Sequence, residues 1–103
     1  MRVTGKSELD RFCRKYKDCN YKESFKKWHD EVKKSNWDKP SDVIEIFNKA
    51  DPNCKTKSGN NVCIFNTVCG SRLICGIKYD EKIVVIKEAL THDEYKEEKW
   101  KDR

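Results

Sequence analysis

Residues 83–95 read Ile83-Val84-Val85-Ile86-Lys87-Glu88-Ala89-Leu90-Thr91-His92-Asp93-Glu94-Tyr95. The apolar, β-branched start of this stretch has the pattern of a buried strand. It empties directly into Thr91-His92-Asp93-Glu94, where a threonine precedes a glutamate by three positions, the capping box that opens a helix. Working outward, two further strand patterns precede it, about Asn61–Asn66 and Arg72–Tyr79, and the last strand spans about Lys82–Ala89. Val68-Cys69-Gly70-Ser71 closes the first hairpin and Tyr79-Asp80-Glu81-Lys82 the second, and connections this short force antiparallel pairing.

The N-terminal third has helical periodicity instead. Ser7 serves as a cap, and Leu9, Phe12, Cys13 and Tyr16 then share one face with Arg11, Arg14 and Lys15 opposite. Cys19-Asn20 breaks this helix. In the next, Tyr21, Phe25, Trp28 and Val32 fall together, with His29 at the edge of the apolar face as a structural residue and lysines on the other side. Pro40-Ser41-Asp42 opens a short third helical turn carrying Val43, Ile44 and Phe47 inward. Residues 51–60 are turn and loop chemistry, and a last helix runs from about His92 to Trp100. Trp28, Trp37 and Trp100 are expected in packing roles. The architecture is α+β: two N-terminal helices packed on a small antiparallel sheet, with a short C-terminal helix, in a single domain covering residues 1–103.

Composition bounds the function. The chain has 103 residues, 40% of them charged and 36% apolar, with a formal net charge of +5. Residues 1–39 hold 12 Lys/Arg against 7 Asp/Glu, and residues 40–103 hold 11 of each, so the whole excess lies in the N-terminal part. That asymmetry suits a polyanion or an acidic partner, and it also suits a plain solvated lysine-rich face. The apolar runs are far shorter than the roughly 20 residues of a transmembrane helix. The start of the chain has no apolar signal region, so the expected location is cytoplasmic, with no membrane contact.

Six cysteines stand at Cys13, Cys19, Cys54, Cys63, Cys69 and Cys75. In a secreted chain they would suggest a disulfide scaffold. Here Cys13, Cys63 and Cys75 occupy apolar positions of helix and strand patterns, so burial as small free hydrophobes is the expectation. Gaps of five residues or more do not match zinc spacing. A set of native disulfides is the remaining alternative.

The end of the last strand gathers functional chemistry. Arg72 and Lys87 lie on adjacent strands, and His92 and Tyr95, three apart, share a helix face. A cation, an imidazole and a phenol together suit cleavage of an RNA phosphodiester by its own 2′-hydroxyl. Arginine's planar fork grips two phosphate oxygens. An imidazole with an ordinary pKa of about 6.5 moves protons near neutral pH. Each residue also has a plainer reading: Thr91 and Glu94 as a structural cap, His92 at an interface, Tyr95 packed on the sheet, and Arg72 and Lys87 as strand charges. The chain offers no Gly-rich phosphate loop and no metal triad, so the expected mechanism needs no metal and no cofactor.

Phe65-Asn66, Arg72-Leu73-Ile74, Ile83-Val84-Val85-Ile86-Lys87 and Thr91-His92-x-Glu94-Tyr95, in this order and at nearly this spacing, resemble the HigB family of bacterial toxins. Those toxins are small relatives of RelE. The likeness continues upstream through Trp28-His29-Asp30-Glu31-Val32, Asn36-Trp37 and Pro40-Ser41-Asp42-Val43, covering residues 8 to 100 or nearly so. The resemblance implies a RelE-like fold and a type II toxin–antitoxin module. The implied activity is a ribosome-dependent mRNA endoribonuclease that blocks translation and is silenced by a cognate HigA-like antitoxin. It implies Arg72, Lys87, His92 and Tyr95 as catalytic residues. Asn66 would bind substrate, and Lys26 and Lys33 would contact RNA or the antitoxin. The family pattern places a Gly-Asn-x-Tyr stretch before the arginine; here Thr67-Val68-Cys69-Gly70-Ser71 is one residue shorter and lacks that tyrosine. Two rivals follow: a non-enzymatic toxin of the same fold, like the gyrase-poisoning ParE branch, or a module that only binds RNA or antitoxin.

Overall fold

The computed structural model describes residues 1–17 and 19–102. Its elements run β1 (Arg2–Thr4), α1 (Lys6–Lys15), α2 (Tyr21–Lys34), α3 (Pro40–Ile46), β2 (Asp51–Lys55), β3 (Asn61–Asn66), β4 (Arg72–Lys78), β5 (Ile83–Leu90) and α4 (His92–Lys96). A tight turn at Val68–Gly70 joins β3 to β4, and a short 3-10 segment follows α4 at Lys99–Asp102. The five strands form one sheet in the order β1-β5-β4-β3-β2. The fold is α+β and consistent with the RelE-like expectation.

The central antiparallel trio β3-β4-β5 is where the sequence patterns place it. The two edges extend the sheet beyond that expectation. Arg2–Thr4 pairs in parallel with Ile83–Val85, making the sheet mixed rather than purely antiparallel. Residues 51–55, expected as loop, pair antiparallel with β3, with an irregular register between Asp51 and Cys54. Both edges alternate exposed and half-buried residues, but each is short and poor in large apolar side chains, so neither announces a strand. Helix α1 begins at Lys6, and the residue before it is Gly5 rather than a capping Ser7. Gly5 has φ 84°, and a β-carbon there would run into the Ile86 carbonyl, so only glycine permits this turn from β1 over β5.

Alternation along the strands divides the sheet into two faces. Cys63, Phe65, Leu73, Cys75, Val84 and Ile86 face α1, α2 and α3, together with Leu9, Phe12, Phe25, Trp28, Val32 and Val43. Phe65 is fully buried, edge-on to Trp28 at 5.3 Å and to Phe47 at 5.2 Å, with Trp37 stacked at 6.3 Å. Ile44 departs from its inward expectation and is 40% exposed. In a helix of seven residues only a narrow stripe meets the sheet, and Val43 takes it. The opposite face carries a smaller apolar cluster of Val62, Ile64, Ile74 and Trp100, with Cys54, Leu90 and Tyr95 against it.

Cys63 and Cys75 are buried, free cross-strand partners, as expected of small hydrophobes. Burial pushes the Cys63 thiol up to about 12 and the Cys75 thiol well above its ordinary range. Cys19 and Cys69 depart from the free-thiol expectation and form a disulfide with Cα atoms 6.3 Å apart. Fifty positions separate them in the chain, so spacing alone could not pair them.

Candidate active site

The site lies on the smaller sheet face, at the end where β3, β4 and β5 meet α4. Asn66 is registered opposite Arg72, and Arg72 opposite Leu90, so Asn66 and Arg72 are side-by-side neighbours on this face. Beyond Leu90 the chain turns at Thr91 into α4. The capping box foreseen there is formed: the Glu94 amide donates to the Thr91 hydroxyl at 3.2 Å, and the Thr91 amide donates to Glu94 Oε1 at 2.9 Å. Thr91 and Glu94 therefore act as the cap, and this fixes how His92 and Tyr95 leave the strand. Thr91→Ala is expected to cost about 1 kcal/mol, the usual loss for a helix cap. Urea denaturation would measure it, and an unchanged midpoint would mean the cap contributes nothing.

Tyr95 meets Arg72 directly: the guanidinium carbon lies over the phenol ring, 4.9 Å from its centre. Trp100 stacks parallel to the same ring at 5.5 Å and donates its indole N–H to the Tyr95 carbonyl at 3.2 Å. Trp100 is buried, so it supports Tyr95 rather than offering a surface for a base. The α4 helix stops at Lys96, and Glu98, at φ 60°, turns the chain so that the 3-10 segment brings Trp100 back over Tyr95. One continuous helix to Trp100, as predicted, would not return the indole to that place.

The short loop between β3 and β4 completes the arrangement. Arg72 donates from its guanidinium to the Gly70 carbonyl, and to the Ser71 carbonyl at 3.2 Å. Gly70 has φ 76°, and a β-carbon there would sit 3.1 Å from the His92 β-carbon and 3.3 Å from its Nδ1. Arg72 and His92 thus flank the same glycine, one through a hydrogen bond and one through packing. Ser71 is fully buried; its hydroxyl donates to the Val68 carbonyl at 2.6 Å and pairs with the Thr67 hydroxyl. The trimmed loop is stapled by its own side chains. Reasoning from sequence placed Thr67, Gly70 and Ser71 in the trimmed hairpin and Trp100 in packing, and gave none of the four a role beside Arg72; the Gly-Ser pair directly before Arg72 was the available signal.

Three candidates stand apart. Lys87 occupies the irregular register of β5, and its stem lies across Gly76, whose absent side chain leaves room for it. Gly76 is four positions from Arg72 on β4, roughly 13 Å along a strand rising about 3.3 Å per residue. Lys87 is exposed and shares the site's face without touching its centre. Lys26 and Lys33 are exposed on α2, in the helical layer behind the sheet, so the sheet separates them from Arg72. Lys26 borders a groove of about 530 Å³ between α1 and α2, floored by Leu9, Cys13 and Phe25 and rimmed by Lys6, Arg14 and Lys22. His29 sits in the same groove, partly buried beside Asp30 at 3.9 Å.

The strands and helix that carry these residues also fall within the span of a known family. The model of that family, described as HigB_toxin, RelE-like toxic component of a toxin–antitoxin system, matches residues 7–98. The chain is a member of the HigB toxin family. Comparison with curated proteins returned no match. As the toxic half of a toxin–antitoxin system, a HigB-family chain has an antitoxin for a partner. No helix among its described residues is long and apolar enough to cross a membrane. The matched span holds every candidate residue of the site, from Lys26 to Tyr95.

Proposed function

We propose that this HigB-family toxin is a ribosome-dependent endoribonuclease that cuts mRNA and so stops translation. The observation that carries the reading is the Arg72–Tyr95 contact, with Asn66 beside it and His92 across Gly70, at one end of the smaller sheet face. Arg72 holds the scissile phosphate by two oxygens, where negative charge grows in the transition state. The RNA 2′-hydroxyl loses its proton and attacks phosphorus; the departing 5′-oxygen is protonated as it leaves, giving a 2′,3′-cyclic phosphate. His92 exchanges one of these protons. Tyr95, held by its contacts with Arg72 and Trp100, directs its hydroxyl to the phosphate or sugar, and Asn66 bonds a base edge or the ribose. Lys87 adds longer-range positive potential along the substrate path. No step requires a metal or a cofactor.

Lys26 and Lys33 fit a second surface, which rests on ribosomal RNA while mRNA enters the sheet face. The cytoplasm, where ribosomes and mRNA are found, is the corresponding location, and a HigA-like antitoxin would silence the toxin. A K26E/K33E protein is expected to bind ribosomes at least about ten-fold more weakly at low salt, with the gap to wild type narrowing as salt rises. Its stability should change by no more than about 0.5 kcal/mol. Equal ribosome affinity for the two proteins at every salt concentration would remove these lysines from the interface.

The deciding experiment mixes purified protein with mRNA-programmed ribosomes, and separately with naked RNA, comparing wild type with Arg72→Ala and His92→Ala. Cuts that need the ribosome and vanish in folded variants support the reading. Intact mRNA with wild type, while toxicity or ribosome binding persists, would favour a non-enzymatic toxin of this fold.

A further inference from the structure

We propose that Cys19 and Cys69 form a thiol-exchange site, and that its reduction frees the 67–71 loop from the helical layer and unsettles the Arg72/His92 arrangement. The bond ties the turn between α1 and α2 to the loop between β3 and β4, across 50 positions of chain. Both half-cystines are exposed, so a small thiol can reach either sulfur. Cys69 is one peptide from Gly70, whose carbonyl accepts from Arg72 and whose bare α-carbon leaves the space that His92 packs into. Movement of Cys69 therefore reaches both residues through a single intervening glycine. Cys69 and Gly70 both have positive φ, 57° and 76°, a conformation that Cys69 adopts only where its surroundings hold it.

The remaining thiols do not compete. Cys63 and Cys75 are buried in the core, and Cys13 and Cys54 are half-buried, with burial the leading cause that raises each. Exchange needs a thiolate and access. The reagent class is a low-molecular-weight thiol or dithiol. Its thiolate attacks one sulfur of the bond, giving a mixed disulfide and expelling the other cysteine as thiolate. A second reagent thiol attacks the reagent sulfur of the mixed disulfide and releases the remaining cysteine. Two reagent thiols become one reagent disulfide, two electrons pass to the protein, and each cysteine ends protonated. An oxidised reagent disulfide runs the sequence backwards. In a reducing compartment such exposed bonds are transient and regulatory rather than structural.

The effect on cleavage rests on the nuclease reading, whereas the exchange site itself does not. The test uses full-length protein, oxidised and after glutathione or dithiothreitol, with three readouts. Mass spectrometry after alkylation should show Cys19 and Cys69 protected before reduction and labelled first after it. Hydrogen exchange at residues 67–72 should rise about ten-fold on reduction, while residues 83–86 hold steady. Ribosome-dependent mRNA cleavage should fall about ten-fold and return with glutathione disulfide, since small displacements at a reacting centre cost large factors. A C19S/C69S protein should match the reduced form and ignore thiols. Free Cys19 and Cys69 thiols in protein purified without reductant, or identical exchange in both redox states, would overturn the proposal. Redox-dependent exchange without RNA cleavage in either state would support the thiol site and count against the nuclease.

Discussion

Arg72→Ala is expected to lower ribosome-dependent mRNA cleavage by about 100- to 1,000-fold, the usual effect of removing one preorganised group from developing transition-state charge. The guanidinium has an unusual set of restraints. It lies over Tyr95, donates to the carbonyls of Gly70 and Ser71, and stands beside Asn66. Each contact fixes the fork's plane before substrate arrives, so little ordering remains at the moment of reaction. Arg72→Lys keeps a charge but loses the fork, and should recover only part of the rate. Because Arg72 also braces the loop, alanine should destabilise the fold by about 1–2 kcal/mol, from two lost hydrogen bonds and a cation–π contact. Single-turnover cleavage with a melting curve beside it separates the two effects. A variant that folds and cuts at the wild-type rate would remove Arg72 from the chemistry.

The largest stability effect is expected at Phe65. Phe65→Ala should cost about 3–5 kcal/mol, combining lost burial with the cavity left behind. Phe65 is fully buried, on one of the central strands, against rings from α2, from the segment after it and from the residue that ends α3. Trp28, Trp37 and Phe47 cannot all move inward to fill the space, because each is held by a different element. Domains of this size have total stabilities of about 5–15 kcal/mol, so the variant should lie close to unfolding at 37 °C. Phe65→Leu keeps most of the volume and should cost only about 1–2 kcal/mol. Urea denaturation of both variants tests this, and a loss below about 1 kcal/mol for alanine would mean that Phe65 does not anchor the core. Phe65 and Asn66 are adjacent, so the same strand supplies the core's centre on one face and a candidate substrate ligand on the other.

Much of the candidate site was legible because its local signals are strong. Ile83–Ile86 announced a buried strand, and Thr91 with Glu94 announced a helix start, and both capping bonds are present. Trp100 was legible only as a packing residue. Its place over Tyr95 depends on the turn at Glu98, where a non-glycine residue takes positive φ without any sequence cue. Lys87 was misleading in a useful way: adjacent strands suggested proximity to Arg72, but the register moved it beside Gly76. Being on a neighbouring strand does not fix the offset along it, which depends on hairpin length and on the irregularity between Ile74 and Cys75.

By itself the sequence determined the α+β class, the three central strands, the faces of α1 and α2, the cap at Thr91 and the membership in a toxin family. All of these rest on local periodicity, on side-chain chemistry over a few positions, or on residue order. Only the tertiary structure decided that β1 and β2 join the sheet, that Cys19 pairs with Cys69, that Gly70 lies between Arg72 and His92, and that Lys26 and Lys33 lie behind the sheet from the site. The physical reason is the range of the forces involved. Helix and strand periods repeat within a turn or two, whereas an edge strand, a disulfide and a shared glycine contact join residues that meet only when the sheet has closed its register.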